Sequence, residues 1–158
     1  MSSRQHPADQ LDPPDHPRVR DGMIRLRHRT FHFREWGSTS ATSVVLLHGL
    51  TSHARAWDRV AAALATRFHV VSIDQRGHGE SDWADNYAPT VMAEDIAELL
   101  PALGIERARV VGSSMGGIIA YLCAARYPDL FEQLVIVNVG PNTRESLWVR
   151  ESFMPKLA

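Results

Sequence analysis

Between Met23 and Gly37 apolar and polar residues alternate. The segments MIRLRHRT and FHFREWG therefore predict two strands, each with one face on a core and one toward solvent. Gly37 and the polar STSATS after it predict a turn. The pattern then changes. VVLLHGL, from Val44 to Leu50, is apolar without a break until His48, which suits a strand buried on both faces of a parallel sheet. SHARAWDRVAAALATRF follows with Trp57, Val60, Ala61 and Leu64 at helical spacing, and Ser52 is the expected N-cap. HVVSID is a second buried run and reaches Asp74. TVMAEDIAELLPALGI places Val91, Ile96 and Leu99 on one helical side, with Thr90 as its cap. ARVVG predicts a third buried strand, MGGIIAYLCAARYP a helix, and EQLVIVNVG a fourth strand.

Buried strands alternating with amphipathic helices imply an α/β fold, a mostly parallel sheet joined by right-handed crossovers with helices on both faces. Ligands on such sheets bind beyond the carboxyl ends of the strands. The residues with chemical character fall there: His48 and Gly49, Asp74 to Ser81, and Gly112 to Gly116. The Pro-rich, polar residues 1–20 bury too little surface to order themselves and are expected to be a flexible tail.

Composition narrows the partners. A net charge of -1 provides no concentrated basic face, so neither nucleic acid nor an anionic membrane is expected as a partner. No segment approaches the ~18 apolar residues of a membrane span, and the N-terminal stretch has no apolar core of a signal peptide. Cys123 is the single cysteine, which excludes an internal disulfide and points to a reducing, cytoplasmic setting. Its apolar neighbours suggest a buried small hydrophobe. GSSMGG lacks the Gly-Lys-Ser/Thr of a phosphate loop and the G-x-G-x-x-G of a dinucleotide site, so no cofactor and no metal is implied. A small-molecule substrate remains.

The chemistry concentrates at Gly112-Ser113-Ser114-Met115-Gly116. A serine hydroxyl becomes a nucleophile when it is exposed, deprotonated by a base and faced with donors for the developing oxyanion. A sharp strand-to-helix turn would expose Ser114, and Gly112 and Gly116 would let that turn close. The N–H of Met115, at the start of the helix, could donate to an oxyanion. Gly49 would let the preceding loop turn inward, making the N–H of Leu50 the second donor. In DQRGHGES, Asp74 and Arg76 are expected to hold loop structure, and His78, between two glycines, to be structural as well.

These loops, in this order from about Met23 to Pro141, resemble the α/β-hydrolase fold superfamily with its HG-x, D-x-R-G-x-G-x-S and G-x-S-x-G loops. The resemblance implies a hydrolase with Ser114 as nucleophile and Leu50 and Met115 as the oxyanion hole. Serine at 114 departs from the dehalogenase and epoxide-hydrolase branches, whose nucleophile is a carboxylate. It favours esterases, thioesterases and carbon–carbon bond hydrolases.

In this superfamily the acid and the histidine follow the serine in the chain. All eight histidines here precede Ser114, and Asn138 occupies a place where some relatives carry the acid. Residues 21–140 are thus expected to be the N-terminal part of the core, truncated before the last strands, and 141–158 the start of a cap. Without its base the serine should be a poor catalyst. A binding protein without turnover and a subunit completed by a second chain are the alternative readings. The open edge of the fourth buried strand invites self-association.

Overall fold

The computed structural model describes residues 18–139. Of the tail expected over 1–20, residues 1–17 lie outside the described residues and Arg20 begins the first strand; the cap segment expected over 141–158 lies outside them entirely. The strands are β1 (Arg20–Leu26), β2 (Arg29–Trp36), β3 (Ser43–Leu47), β4 (His69–Ile73), β5 (Ala108–Ser113) and β6 (Phe131–Val137). The helices are α1 (Asp58–Leu64), α2 (Pro89–Ala102) and α3 (Met115–Arg126). One sheet holds the strands in the order β1-β2-β4-β3-β5-β6. β1 and β2 form an antiparallel hairpin, and β2 runs antiparallel to β4. The β4-β3, β3-β5 and β5-β6 pairs are parallel.

Side chains alternate across a strand, so each buried strand feeds two cores. Val45, Leu47, Val71, Ile73 and Val110 face one side, packed with Ile96, Leu99, Ile119 and Leu122 of α2 and α3. Val44, Leu46 and Val70 face the other, packed with Trp36, Ala61 and Ala65 beside α1. This accounts for uninterrupted apolar runs in β3 and β4, because both of their faces lie against helices. Cys123 sits in the first core and donates to the Ala93 carbonyl at 3.5 Å, and burial pushes its thiol up to about 12.

Three local expectations change. β2 is not half-exposed: its last six residues, Phe31 to Trp36, are all buried. Its polar alternation is real, but the polar face lies under the chain leading into α1. There Arg34 meets Asp21 at 2.7 Å and Asp58 of α1 at 3.0 Å, while His32 meets Asp21 at 3.0 Å and Asp74 at 2.7 Å. Ser52 does not cap α1, because a 3-10 turn over Ala54–Trp57 intervenes and Trp57 occupies the N-cap position. Thr90 lies inside α2, whose N-cap is Ala88. Pro89 at the first helical position presets the helical φ, so the start needs no side-chain cap.

The order β4-β3-β5 puts successive crossovers on opposite sides of β3. The crevice between the carboxyl ends of β3 and β5 is the topological switch point where such sheets take ligands. Ser114 and the segment His48 to Ser52 border it.

Candidate active site

Ser114 follows β5 directly and is the N-cap of α3, with φ 51 and ψ -118, a region that side chains other than glycine rarely adopt. Backbone hydrogen bonds hold it there. Its N–H donates to the Val137 carbonyl at 2.9 Å, and its carbonyl accepts from Gly117 N–H at 2.9 Å and Ile118 N–H at 3.2 Å. The turn is too tight for side chains at its flanks. A Cβ on Gly112 would lie 2.3 Å from the Gly116 carbonyl oxygen, and one on Gly116 would lie 2.3 Å from the Leu47 carbonyl oxygen. Met115 opens α3 beside the serine, where a helix presents N–H groups without intrahelical acceptors.

Opposite the serine, the chain leaves β3 through His48 and Gly49 and turns over Gly49 to Ser52, closed by a Ser52 N–H bond to the Gly49 carbonyl at 3.1 Å. Gly49 differs from the sequence-based expectation. Its φ is not positive, and a Cβ there would stand 3.5 Å from the Ser114 Cβ, in ordinary contact. Glycine at 49 is thus not required to bend the chain; it keeps the space beside Ser114 open.

His48 is buried, and both ring nitrogens are engaged: Nδ1 faces the Gly49 carbonyl at 2.8 Å, and Nε2 accepts the Gln75 N–H at 3.1 Å. A nitrogen that accepts an N–H carries no proton, which fixes the neutral ring with its hydrogen on Nδ1. Burial, together with the neighbouring His78, holds the His48 pKa below its usual value despite the bond to Gly49. The ring is therefore not free to take a proton from Ser114.

The loop from Asp74 to Ser81 braces this region. The Asp74 carboxylate accepts from Ala54 N–H at 2.5 Å, Glu80 N–H at 3.0 Å and the His32 ring at 2.7 Å. Burial alone would raise its pKa, but these donors outweigh it and hold the carboxyl below its usual value. Arg76 is buried and grips Asp95 of α2 through two nitrogens, while a third donates to the Asn86 carbonyl at 2.7 Å. His78 lies against His48, ring centroids 5.0 Å apart. Its Nε2 reaches the Leu50 carbonyl at 2.6 Å, and its Nδ1 reaches the Arg76 carbonyl at 2.9 Å.

A cavity of about 410 Å³ opens above Ser114, bordered by His48, Leu50, Trp57 and Asn138 among others. Sequence reasoning missed Trp57 as a cavity wall, since its helical spacing matches that of core residues. Asn138, at the end of β6, has φ 58, and asparagine tolerates this left-handed conformation better than most residues. Among the described residues, no three His, Cys, Asp or Glu side chains converge to hold a metal ion, and no helix is long and apolar enough to cross a membrane.

Residues 42–154 match the family described as alpha/beta hydrolase fold. The chain belongs to this family. It is 39% identical over 109 residues to an esterase of Mycobacterium tuberculosis, a match that covers 68% of this chain and 36% of the esterase. It is 29% identical over 144 residues to human epoxide hydrolase 4, covering 86% of this chain and 38% of that protein. Among solved structures it is similar to a bacterial membrane phospholipase A, with a TM-score of 0.75 and 32% identity over 77% of this chain and 40% of that one. The chain thus spans little more than a third of the length of the curated relatives it matches. As an alpha/beta hydrolase fold it carries the parallel sheet and the β5-to-α3 turn.

Proposed function

We propose that Ser114 is the nucleophile of a serine hydrolase acting on an ester, thioester or related carbonyl compound. The observation that carries the reading is the Ser114 backbone, held at φ 51 and ψ -118 at the mouth of the cavity. Strain of this kind costs about 1–3 kcal/mol and persists where the surroundings over-determine it, typically at functional positions. The Leu50 and Met115 N–H groups would receive the charge that develops on the carbonyl oxygen as Oγ attacks. The turn's hydrogen bonds engage the Leu50 carbonyl and leave its N–H outside them. The hydroxyl proton needs an acceptor. His48 is engaged on both nitrogens, and His78 faces two carbonyls, so neither serves. Neither ring beside the serine turn therefore supplies the base, and the reading calls for one from elsewhere.

Serine at 114 favours acyl chemistry over the epoxide hydrolysis named for one relative, because the carboxylate nucleophile of that branch is replaced. The test uses an activated nitrophenyl ester, with imidazole added as a substitute base. Release of nitrophenol that rises with imidazole and is lost in Ser114→Ala, together with an acyl adduct mapped to Ser114, is the expected result. Lacking its own base, the constellation should retain at most about 10³–10⁴-fold acceleration over water from its oxyanion donors and binding. No adduct on Ser114 at saturating ester and imidazole would overturn the assignment.

A further inference from the structure

We infer that His78 is a positioning residue for the Leu50 N–H, and that it works as a pair with His48; the inference rests on the reading of Leu50 as an oxyanion donor. Two peptide planes meet at Leu50. The first joins Gly49 to Leu50 and carries the Leu50 N–H. Its carbonyl is held by His48 Nδ1 at 2.8 Å and by the Ser52 N–H at 3.1 Å. In a trans peptide the N–H and C=O point in opposite directions, so fixing the Gly49 carbonyl fixes where the Leu50 N–H aims. The second plane joins Leu50 to Thr51, and its carbonyl is held by His78 Nε2 at 2.6 Å. With both flanking planes held, neither soft dihedral of Leu50 is free to drift.

The two rings also support each other. Their centroids lie 5.0 Å apart with planes tilted by 56°. Each is anchored on its other side, His48 through Gln75 and His78 through the Arg76 carbonyl at 2.9 Å. Arg76 is itself clamped to Asp95 on α2. A continuous set of contacts therefore runs from α2 through the Asp74–Ser81 loop to the peptide beside the serine. Leu50 is 64% exposed, so its own packing holds the turn only weakly. The turn thus depends on these hydrogen bonds for its shape. Oxyanion stabilisation depends on donors that are already aimed, since reorganisation during the reaction cancels the gain.

Carbonyl oxygens only accept, so each contact is a hydrogen bond only where the facing ring nitrogen carries hydrogen; the inference needs that hydrogen on Nε2, toward Leu50, and substitution separates the two contacts. Glutamine places a donor where Nε2 stands and can still reach Leu50. Asparagine places one where Nδ1 stands and keeps only the Arg76 contact. Amide hydrogen exchange at Ser52, whose N–H closes the turn on the Gly49 carbonyl, is followed by NMR in the full chain and in His78→Gln, His78→Asn and His78→Ala, alongside Ser114 acylation by the nitrophenyl ester with imidazole. The thermal midpoint confirms that each variant is folded, and glutamine serves where alanine is not. The expected result is exchange at least about tenfold faster in His78→Asn and His78→Ala, with His78→Gln close to the unsubstituted protein. Acylation at saturating ester should fall about tenfold in the same two variants with an unchanged half-saturating concentration, short of the 10²–10³ for deleting a donor. Unchanged exchange overturns the inference, and so does faster exchange with unchanged acylation. If the unsubstituted chain forms no Ser114 adduct, the nucleophile assignment fails, and the exchange rates alone decide whether His78 holds Leu50.

Discussion

The Ser114 N–H donates to the Val137 carbonyl at 2.9 Å, so the outermost parallel strand holds the serine turn from one side while α3 holds it from the other. A residue fixed from both sides can be kept at φ 51 although the conformation is costly. Ser114→Gly should therefore stabilise the chain by about 1 kcal/mol, the relieved strain exceeding the extra flexibility glycine gives the unfolded state. Ser114→Ala keeps the Cβ and should change stability little. Urea unfolding midpoints decide it: a lower midpoint for Ser114→Gly than for Ser114→Ala would mean that the turn stores no strain.

The two glycines nearest the serine should respond in opposite ways. A Cβ at Gly112 meets the Gly116 carbonyl oxygen at 2.3 Å, which neither backbone can accommodate without shifting. Gly112→Ala should cost about 1–3 kcal/mol, the range for overpacking. A Cβ at Gly49 finds ordinary space, 3.5 Å from the Ser114 Cβ. Gly49→Ala should stay within about 0.5 kcal/mol of the parent, yet crowd the serine and lower its acylation by the nitrophenyl ester. Thermal midpoints and adduct yields, measured on the same two variants, separate the roles.

That contrast marks what the sequence could convey. Apolar runs such as Val44 to Leu47 and the break at Gly112 announced the parallel strands, the crossovers and the serine turn, because these depend on local pattern. Ser52 and Thr90 suggested caps by residue type, but a 3-10 turn and Pro89 set the starts of α1 and α2. The polar alternation of β2 was visible; that His32 and Arg34 would be buried against Asp21, Asp58 and Asp74 was not, since those partners come from three other segments. The pairing of His78 with the Leu50 carbonyl spans 28 residues and leaves no periodic trace. Only its place between two glycines marked the position.

Acid should weaken the fold in two stages. His48 has a folded-state pKa below its usual 6.5, through burial and His78, so the unfolded chain binds the proton more readily. Its contribution is present above pH 6.5 and is lost as pH falls toward the depressed value. Glu35 and Asp74 are buried, which alone would raise their pKa values, but donors from Arg20 and His69, and from Glu80, Ala54 and His32, leave both lowered. Their contributions are lost only below the ordinary values of 4.5 and 3.8. His48→Asn can keep a donor for the Gly49 carbonyl but leaves the Gln75 N–H unpaired. It should be less stable at pH 8 by about 1–3 kcal/mol, with a shallower decline between pH 6.5 and 4.5. Parallel decline in the two proteins over that window would remove His48 as the cause.

β6 has no neighbour on its outer edge among the described residues, and Val135, Ile136 and Val137 are 52%, 42% and 44% exposed. An unpaired edge offers a row of free N–H and C=O groups, and apolar side chains on both faces add a drive to cover it. Native edges commonly carry lysine for the opposite reason, since charge resists pairing with a second chain. The 158-residue chain should therefore associate as its concentration rises. Val135→Lys should suppress that association while shifting the thermal midpoint little, because the side chain it replaces is already half in solvent. Sedimentation velocity across a concentration series is the measurement. A chain that stays monomeric throughout, or a lysine variant that associates as strongly as the parent, would show that this edge is not the contact.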